Sequence, residues 1–254
     1  MTTASEPLTY RSYLHLADLL RCQVPLTSEH DELLFVIIHQ VYELWFKQIL
    51  HETALLQRRL EDANPSGSLH TARRIAKILK TVVGQLDVLE TMTPRQFASF
   101  RAVLGTSSGF QSDQFREIEA TYGRRDQATP DERAAAARRR RSVFDSLLRH
   151  LDATGYPVPR DVLDRDPAVA WAGDARVQAV LRGVYAEEGA AAEVCEALVD
   201  IDEGLQEWRY RHVKMVERII GALPGTGGSA GAEYLRSTLF RPLFPDLWAV
   251  RGAQ

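Results

Sequence analysis

Two histidines stand where helical periodicity calls for large apolar side chains. Leu198, Ile201, Leu205, Trp208, His212, Met215 and Ile219 recur at alternating spacings of three and four, so they form one stripe along one helix. Phe35, His39, Tyr42, Phe46 and Ile49 form a second such face, with His39 one turn after Phe35. A lone histidine in an apolar row reads first as a core residue satisfied by hydrogen bonds. It also reads as a ligand, because neutral imidazole is the commonest metal-binding side chain. Two of them, in separate rows, suggest a group held between helices, as cofactors are held in helical bundles.

The neighbouring residues narrow which group that is. No histidine has an acidic residue three positions before it, so the Glu-x-x-His pairs of di-iron bundles are absent. His51-Glu52 is not followed by a second histidine at the zincin spacing. Cys22 and Cys195 are too few for a four-cysteine zinc site and make no disulfide framework. A haem needs one protein ligand and an apolar slot, and it survives this elimination. So does the absence of any cofactor.

Two other features invite a ligand. Gly225-Thr-Gly-Gly-Ser-Ala-Gly231 follows a helix rather than a strand, and no Lys-Ser/Thr closes it, so it is not a phosphate loop. It reads either as a flexible connector or as a loop that closes over a ligand with Thr226 as a polar contact. Arg138 to Arg141, spread around a helix, reads as a solvated face.

The elements that must position these residues are helical throughout. Ser28 and Asp31 form a potential capping box before a long apolar-periodic run to about Arg59. Asn64-Pro65-Ser66-Gly67 breaks the chain, and a second run extends from about Leu69 to Glu90. Thr93, Pro94 and Gln96 signal a helix start and Gly105 its stop. A short helix to about Tyr122 follows, then one from Thr129-Pro130 to about Leu151, and an irregular proline-rich stretch. Asp174 to Gly221 is helical with an interruption near Gly189, and a short helix covers about Glu233 to Leu239. No alternating β-branched segment appears, so the expected class is all-α, in one domain of 254 residues. Its 45% hydrophobic and 26% charged composition is that of a globular protein. A net charge of -3 argues against nucleic acid as a partner. With no run of about 18 apolar residues and no signal peptide, a cytoplasmic protein without a membrane span is expected.

Longer stretches resemble the tryptophan 2,3-dioxygenase family. They are His30-Asp-Glu-Leu-Leu-Phe-Val-Ile-Ile-His-Gln-Val-Tyr-Glu-Leu-Trp-Phe-Lys-Gln-Ile-Leu50, Phe100-Arg-Ala-Val-Leu-Gly-Thr-Ser-Ser-Gly-Phe-Gln111, Trp208-Arg-Tyr-Arg-His212, Gly225-Thr-Gly-Gly-Ser229 and Phe244-Pro-Asp-Leu-Trp-Ala-Val-Arg251. They occur in the family's order and spacing, from about Leu8 to Arg251. The resemblance implies an all-α helical bundle enclosing a b-type haem, usually a homotetramer. The implied reaction inserts both atoms of O₂ across the indole C2–C3 bond of L-tryptophan, giving N-formyl-L-kynurenine, the first step of the kynurenine pathway.

Carried over position by position, the resemblance makes His212 the proximal ligand of the haem iron. It places His39 on the distal side, near the indole N–H and O₂, and Phe35 in the wall around the indole ring. Arg101 pairs with the substrate carboxylate, Thr226 contacts the amino-acid end, and Ser108 lies in the matching pocket segment. Tyr10, Tyr13 and Leu14, in the first 20 residues, match positions that reach into a neighbouring subunit's site. Phe97 sits where family members carry tyrosine or phenylalanine. Ala230 replaces an expected small hydroxyl residue, and Arg124 to Ala172 matches only loosely. Relatives sharing this scaffold oxidise substituted tryptophans or add one oxygen atom. A haem-binding sensor without turnover would have no use for Arg101 and Thr226 together.

Overall fold

The computed structural model describes residues 7–125, 131–228 and 231–252, and among them it contains no strand. Thr129, Pro130, Ser229 and Ala230 lie outside the described residues. Helices α1 (Tyr10–Tyr13) and α2 (Leu16–Leu19) are single turns on the surface. Helix α3 (His30–Glu61) begins as expected but is not capped by Ser28. Instead, the buried Glu32 carboxylate accepts the N–H groups of Leu26 and Thr27, both at 2.7 Å, and the Thr27 hydroxyl. A carboxylate that gathers several donors outcompetes a cap offering one neutral bond.

Helix α4 (Pro65–Leu89) starts inside the predicted break. Asn64 caps it by accepting the Gly67 N–H at 2.9 Å, and Pro65 occupies the first helical position, where its missing N–H costs nothing. Helix α5 (Pro94–Arg101) has the reciprocal Thr93–Gln96 box, and Gly105, at φ 56°, ends the turn that follows. Helix α6 (Asp113–Thr121) is capped by Ser112.

The expected single helix up to Leu151 is instead two, α7 (Glu132–Arg138) and α8 (Val143–Ala153). Ser142 and Asp145 cap α8 reciprocally, which ends the preceding run despite its helix-forming alanines. Arg139 to Arg141 therefore lie in the joint between helices and not around a helix axis. Helices α9 (Arg160–Leu163), α10 (Ala175–Ala186) and α11 (Ala190–Ile220) follow, with the interruption at Gly189 as expected. The last are α12 (Ala232–Arg236) and α13 (Pro245–Ala249), the latter too short to register in the periodicity.

Helices α3 and α11 both pack along α4, while α8 closes the other side of α3. Leu56, Leu60, Ile75, Val82, Leu86, Val194 and Leu198 are among the side chains that fill the main core. Helix α3 is, by length and composition, apolar enough to cross a membrane, which corrects the expectation that no such run exists. It is a core helix here: Ile38, Tyr42, Phe46, Ile49, Leu56 and Leu60 are buried in the packed interior.

Two carboxylates of α11 tie the C-terminal segment to it: Glu196, paired with Arg251, and Asp202. Asp202, fully buried, accepts the backbone N–H of Leu243 (2.8 Å) and Phe244 (3.1 Å) and the Trp248 indole N–H (2.9 Å). With that many donors on it, the buried charge holds α11 in place against the chain's end.

Candidate active site

Helices α3 and α11 are brought together by α4, but their own backbones rarely approach each other. The space between them is partly filled by aromatic rings and partly left as a cavity. Phe35 and His39 come from α3, Phe97 and Arg101 from α5, and Trp208 and His212 from α11. The segment after α5 and the glycine-rich loop form its mouth, through Ser108 and Thr226.

His39 is held by its own helix. Its Nδ1 lies 2.7 Å from the Phe35 carbonyl, which can only accept, so Nδ1 carries the proton and Nε2 keeps its lone pair. Burial holds its pKa below the ordinary histidine value, outweighing that hydrogen bond and the nearby Glu43. The Phe35 ring lies 4.2 Å from the imidazole, centroid to centroid. Phe97 and Phe100 extend this wall, 5.7 and 5.6 Å from Phe35.

His212 is perturbed in the same direction. Burial pushes its pKa down to about 4, with the proximity of His39 adding to the effect, so the ring is neutral at physiological pH. Neither ring nitrogen makes a hydrogen bond to any described residue. The Trp208 indole instead lies parallel to the imidazole, with centroids 5.2 Å apart and planes within 3°.

The mouth is closed by backbone contacts. Arg101 donates to the Pro224 carbonyl at 2.5 Å, and the Thr226 hydroxyl donates to the Ser107 carbonyl at 2.5 Å. Gly227 packs so close that a Cβ there would lie 2.7 Å from that of Ser108. Gly231, at φ 62°, turns the chain where a Cβ would meet the Leu223 carbonyl at 2.6 Å. The loop is thus docked on the segment after α5. Arg101 retains further N–H donors and the Thr226 oxygen retains lone pairs, so a carboxylate and an ammonium can be bound side by side.

The structure therefore gathers Phe35, His39, Arg101, Ser108, Thr226 and His212 around one cavity. It does not bring Tyr10, Tyr13 and Leu14 there: they are 76%, 65% and 40% exposed and line no part of it. The sequence did not disclose a buried ion pair at the cavity's edge, Arg209 on α11 with Glu119 on α6. Arg209 lies inside the Trp208–His212 motif, but Glu119 had no signal in periodicity or spacing.

The profile of the tryptophan 2,3-dioxygenase family matches residues 1–149 and 170–253. The chain belongs to that family. A tryptophan 2,3-dioxygenase of Anaeromyxobacter sp. (strain K) is 58% identical over 259 residues, which cover 98% of this chain and 97% of that protein. One from Herpetosiphon aurantiacus is 49% identical, covering 98% and 99%. One from Bacillus cereus (strain ZK / E33L) is 39% identical, covering 98% and 94%. The loosely matching region narrows to residues 150–169, none of which lines the cavity.

Members of this family in general use haem and O₂, and the residues present fit that group. Among the described residues no cluster of three or more His, Cys, Asp or Glu could hold a bare metal ion. What the cavity offers is one neutral imidazole without a competing partner, framed by apolar side chains such as Met215 and Ile219. That donor set suits a macrocycle that brings its own equatorial nitrogens.

Because Gly227 has no room for a methyl group against Ser108, Gly227→Ala is expected to undock the loop. Limited proteolysis would read this as faster cleavage within residues 222–228 than in the parent protein. An unchanged cleavage rate would show that the docking does not depend on that contact.

Proposed function

We infer that this chain is a haem-dependent enzyme that inserts O₂ across the indole C2–C3 bond of L-tryptophan, giving N-formyl-L-kynurenine. One observation carries the reading of the site: a partner-free neutral imidazole faces the same cavity as the Arg101 guanidinium and the Thr226 hydroxyl. His212 would hold the haem iron, and the haem supplies the binding and activation of O₂ that the side chains lack. The remaining steps belong to this chain's own residues.

Arg101 binds the substrate carboxylate through its forked donors, a geometry an ammonium would not match. Thr226 accepts from the substrate ammonium while its own proton stays on the Ser107 carbonyl. The indole ring then extends against Phe35 and Phe97 in the apolar part of the cavity, where it is desolvated. His39 accepts the indole N–H at Nε2, which is free because Nδ1 is committed to Phe35. Its pKa, lowered by burial, favours the neutral acceptor form over the protonated ring, which would be a donor at Nε2. Ser108 supports the docked loop, which keeps bulk water away from the reacting ring. A sensor that never binds an amino acid would use only the loop-docking contacts of Arg101 and Thr226, not their remaining donors and lone pairs.

The N-terminal segment completes the reading. Tyr10, Tyr13 and Leu14 present apolar surface that the described residues leave exposed. We place them against the site of a neighbouring subunit in a homotetramer, each subunit a single domain in the cytoplasm.

The test is to give the reduced, haem-loaded protein L-tryptophan and labelled O₂ and to weigh the product. N-formylkynurenine with two labelled atoms is expected. One labelled atom would indicate a monooxygenase, and no turnover on tryptophan would point to a substituted substrate or a sensor. Arg101→Ala is expected to raise KM for tryptophan about 10- to 100-fold, the worth of a hydrogen-bonded charge pair, with haem content unchanged. An unchanged KM would remove the carboxylate contact.

A further inference from the structure

A histidine that ligates a metal usually gives its other ring N–H to a carboxylate or a backbone carbonyl, which fixes the ring's plane and raises its basicity. His212 has no such acceptor among the described residues. Its ring plane must be set in another way, and among the described residues one contact is suited to that.

Trp208 lies four residues earlier on α11, so its ring sits one turn away on the same face. The two rings are parallel within 3°, with centroids 5.2 Å apart. Trp208 is itself immobilised from three sides. Phe115 of α6 tilts against it at 4.8 Å, and Tyr42 and Phe46 of α3 meet it edge-on at 6.3 and 6.1 Å. An indole clamped by two other helices is a fixed plate, whereas a ring free to rotate could orient nothing. The indole N–H contributes little to this clamp: it is turned toward the Tyr42 hydroxyl without reaching hydrogen-bond geometry. What Trp208 supplies is its flat face.

We propose that Trp208 is the positioning residue for His212, setting the plane of the iron-ligating imidazole by parallel stacking in place of a hydrogen bond. The proposal rests on the functional reading above. It has a chemical consequence beyond geometry. Stacking fixes the ring without drawing off its N–H proton, so the ligand keeps neutral-imidazole character and does not move toward imidazolate. A less basic ligand pushes less electron density onto iron, which favours the ferrous state that binds O₂.

The experiment compares Trp208→Phe and Trp208→Leu with the parent, first without haem. In the apoprotein, the His212 ring protons are expected to carry an upfield ring-current shift. That shift persists in Trp208→Phe and is lost in Trp208→Leu. In the haem-loaded ferrous proteins, the iron–histidine stretching band is expected to stay narrow in Trp208→Phe and to shift and broaden in Trp208→Leu. Haem dissociation from Trp208→Leu is expected to rise about 10- to 100-fold, the range seen when a ligating histidine loses its outer partner. Helical circular dichroism establishes that each variant is folded; if Trp208→Leu is not, Trp208→Met replaces it.

A folded aliphatic variant with unchanged His212 shifts and an unchanged iron–histidine band would overturn the proposal. So would a Trp208→Phe variant as impaired as the aliphatic one. A parent protein with no iron–histidine band would defeat the functional reading, and with it the role of the stack. The apoprotein shifts distinguish that failure from a failure of the stacking itself.

Discussion

The site depends on aromatic packing between two helices whose backbones rarely approach each other. Helices α3 and α11 both run along α4, but their backbones stay apart. Trp208 bridges the gap, wedged against Tyr42, Phe46 and Phe115. Each such ring pair contributes about 0.5–1.5 kcal/mol beyond simple burial, so the wedge is a stable spacer. One turn further along both helices the filling stops, and His39 and His212 face the space that remains. The same spacer that keeps the helices apart makes room for a ligand between them.

That arrangement fixes the electrostatics of both imidazoles. Desolvation is the leading cause of the lowered pKa at each, and at His212 the nearby His39 adds to it. Neutral rings with lone pairs are what the proposed roles demand: one binds iron, the other accepts an indole N–H. Charge enters the site at its mouth, where Arg101 is anchored to the Pro224 carbonyl, and at its edge as the buried Arg209–Glu119 ion pair. In the proposed binding mode the substrate's ionic end is met near solvent and its indole ring in the apolar interior. This division needs no buried unpaired charge.

Much of this was legible in the sequence, for reasons that differ by residue. The long helices were clear because their apolar rows persist over many turns, and the Thr93–Gln96 and Gly105 signals were correct because local chemistry decides them. His39 and His212 stood out because each interrupts an apolar row. Local competition was harder to read. Glu32 displaced the expected Ser28 cap, and the Ser142–Asp145 box split a helix that its alanines appeared to continue. Arg101 is one arginine among many until the fold brings Pro224 to it, a side chain-to-backbone contact that leaves no trace in periodicity. The roles of Arg101 and Thr226 came from family resemblance, and the cavity they share came from the fold. The stacking of Trp208 on His212 was present as a four-residue spacing, but the missing hydrogen-bond partner that gives it meaning appears only in three dimensions.

The central claim is that His212 is the protein's one bond to the haem iron. Replacing it with glycine leaves a space the size of an imidazole, which free imidazole can occupy. The optical and resonance Raman spectra of haem-loaded His212→Gly, with and without added imidazole, test the claim most directly. The histidine-ligated ferrous spectrum is expected to disappear in the variant and to return when imidazole is added. A variant that keeps the parent spectrum without imidazole would contradict the claim.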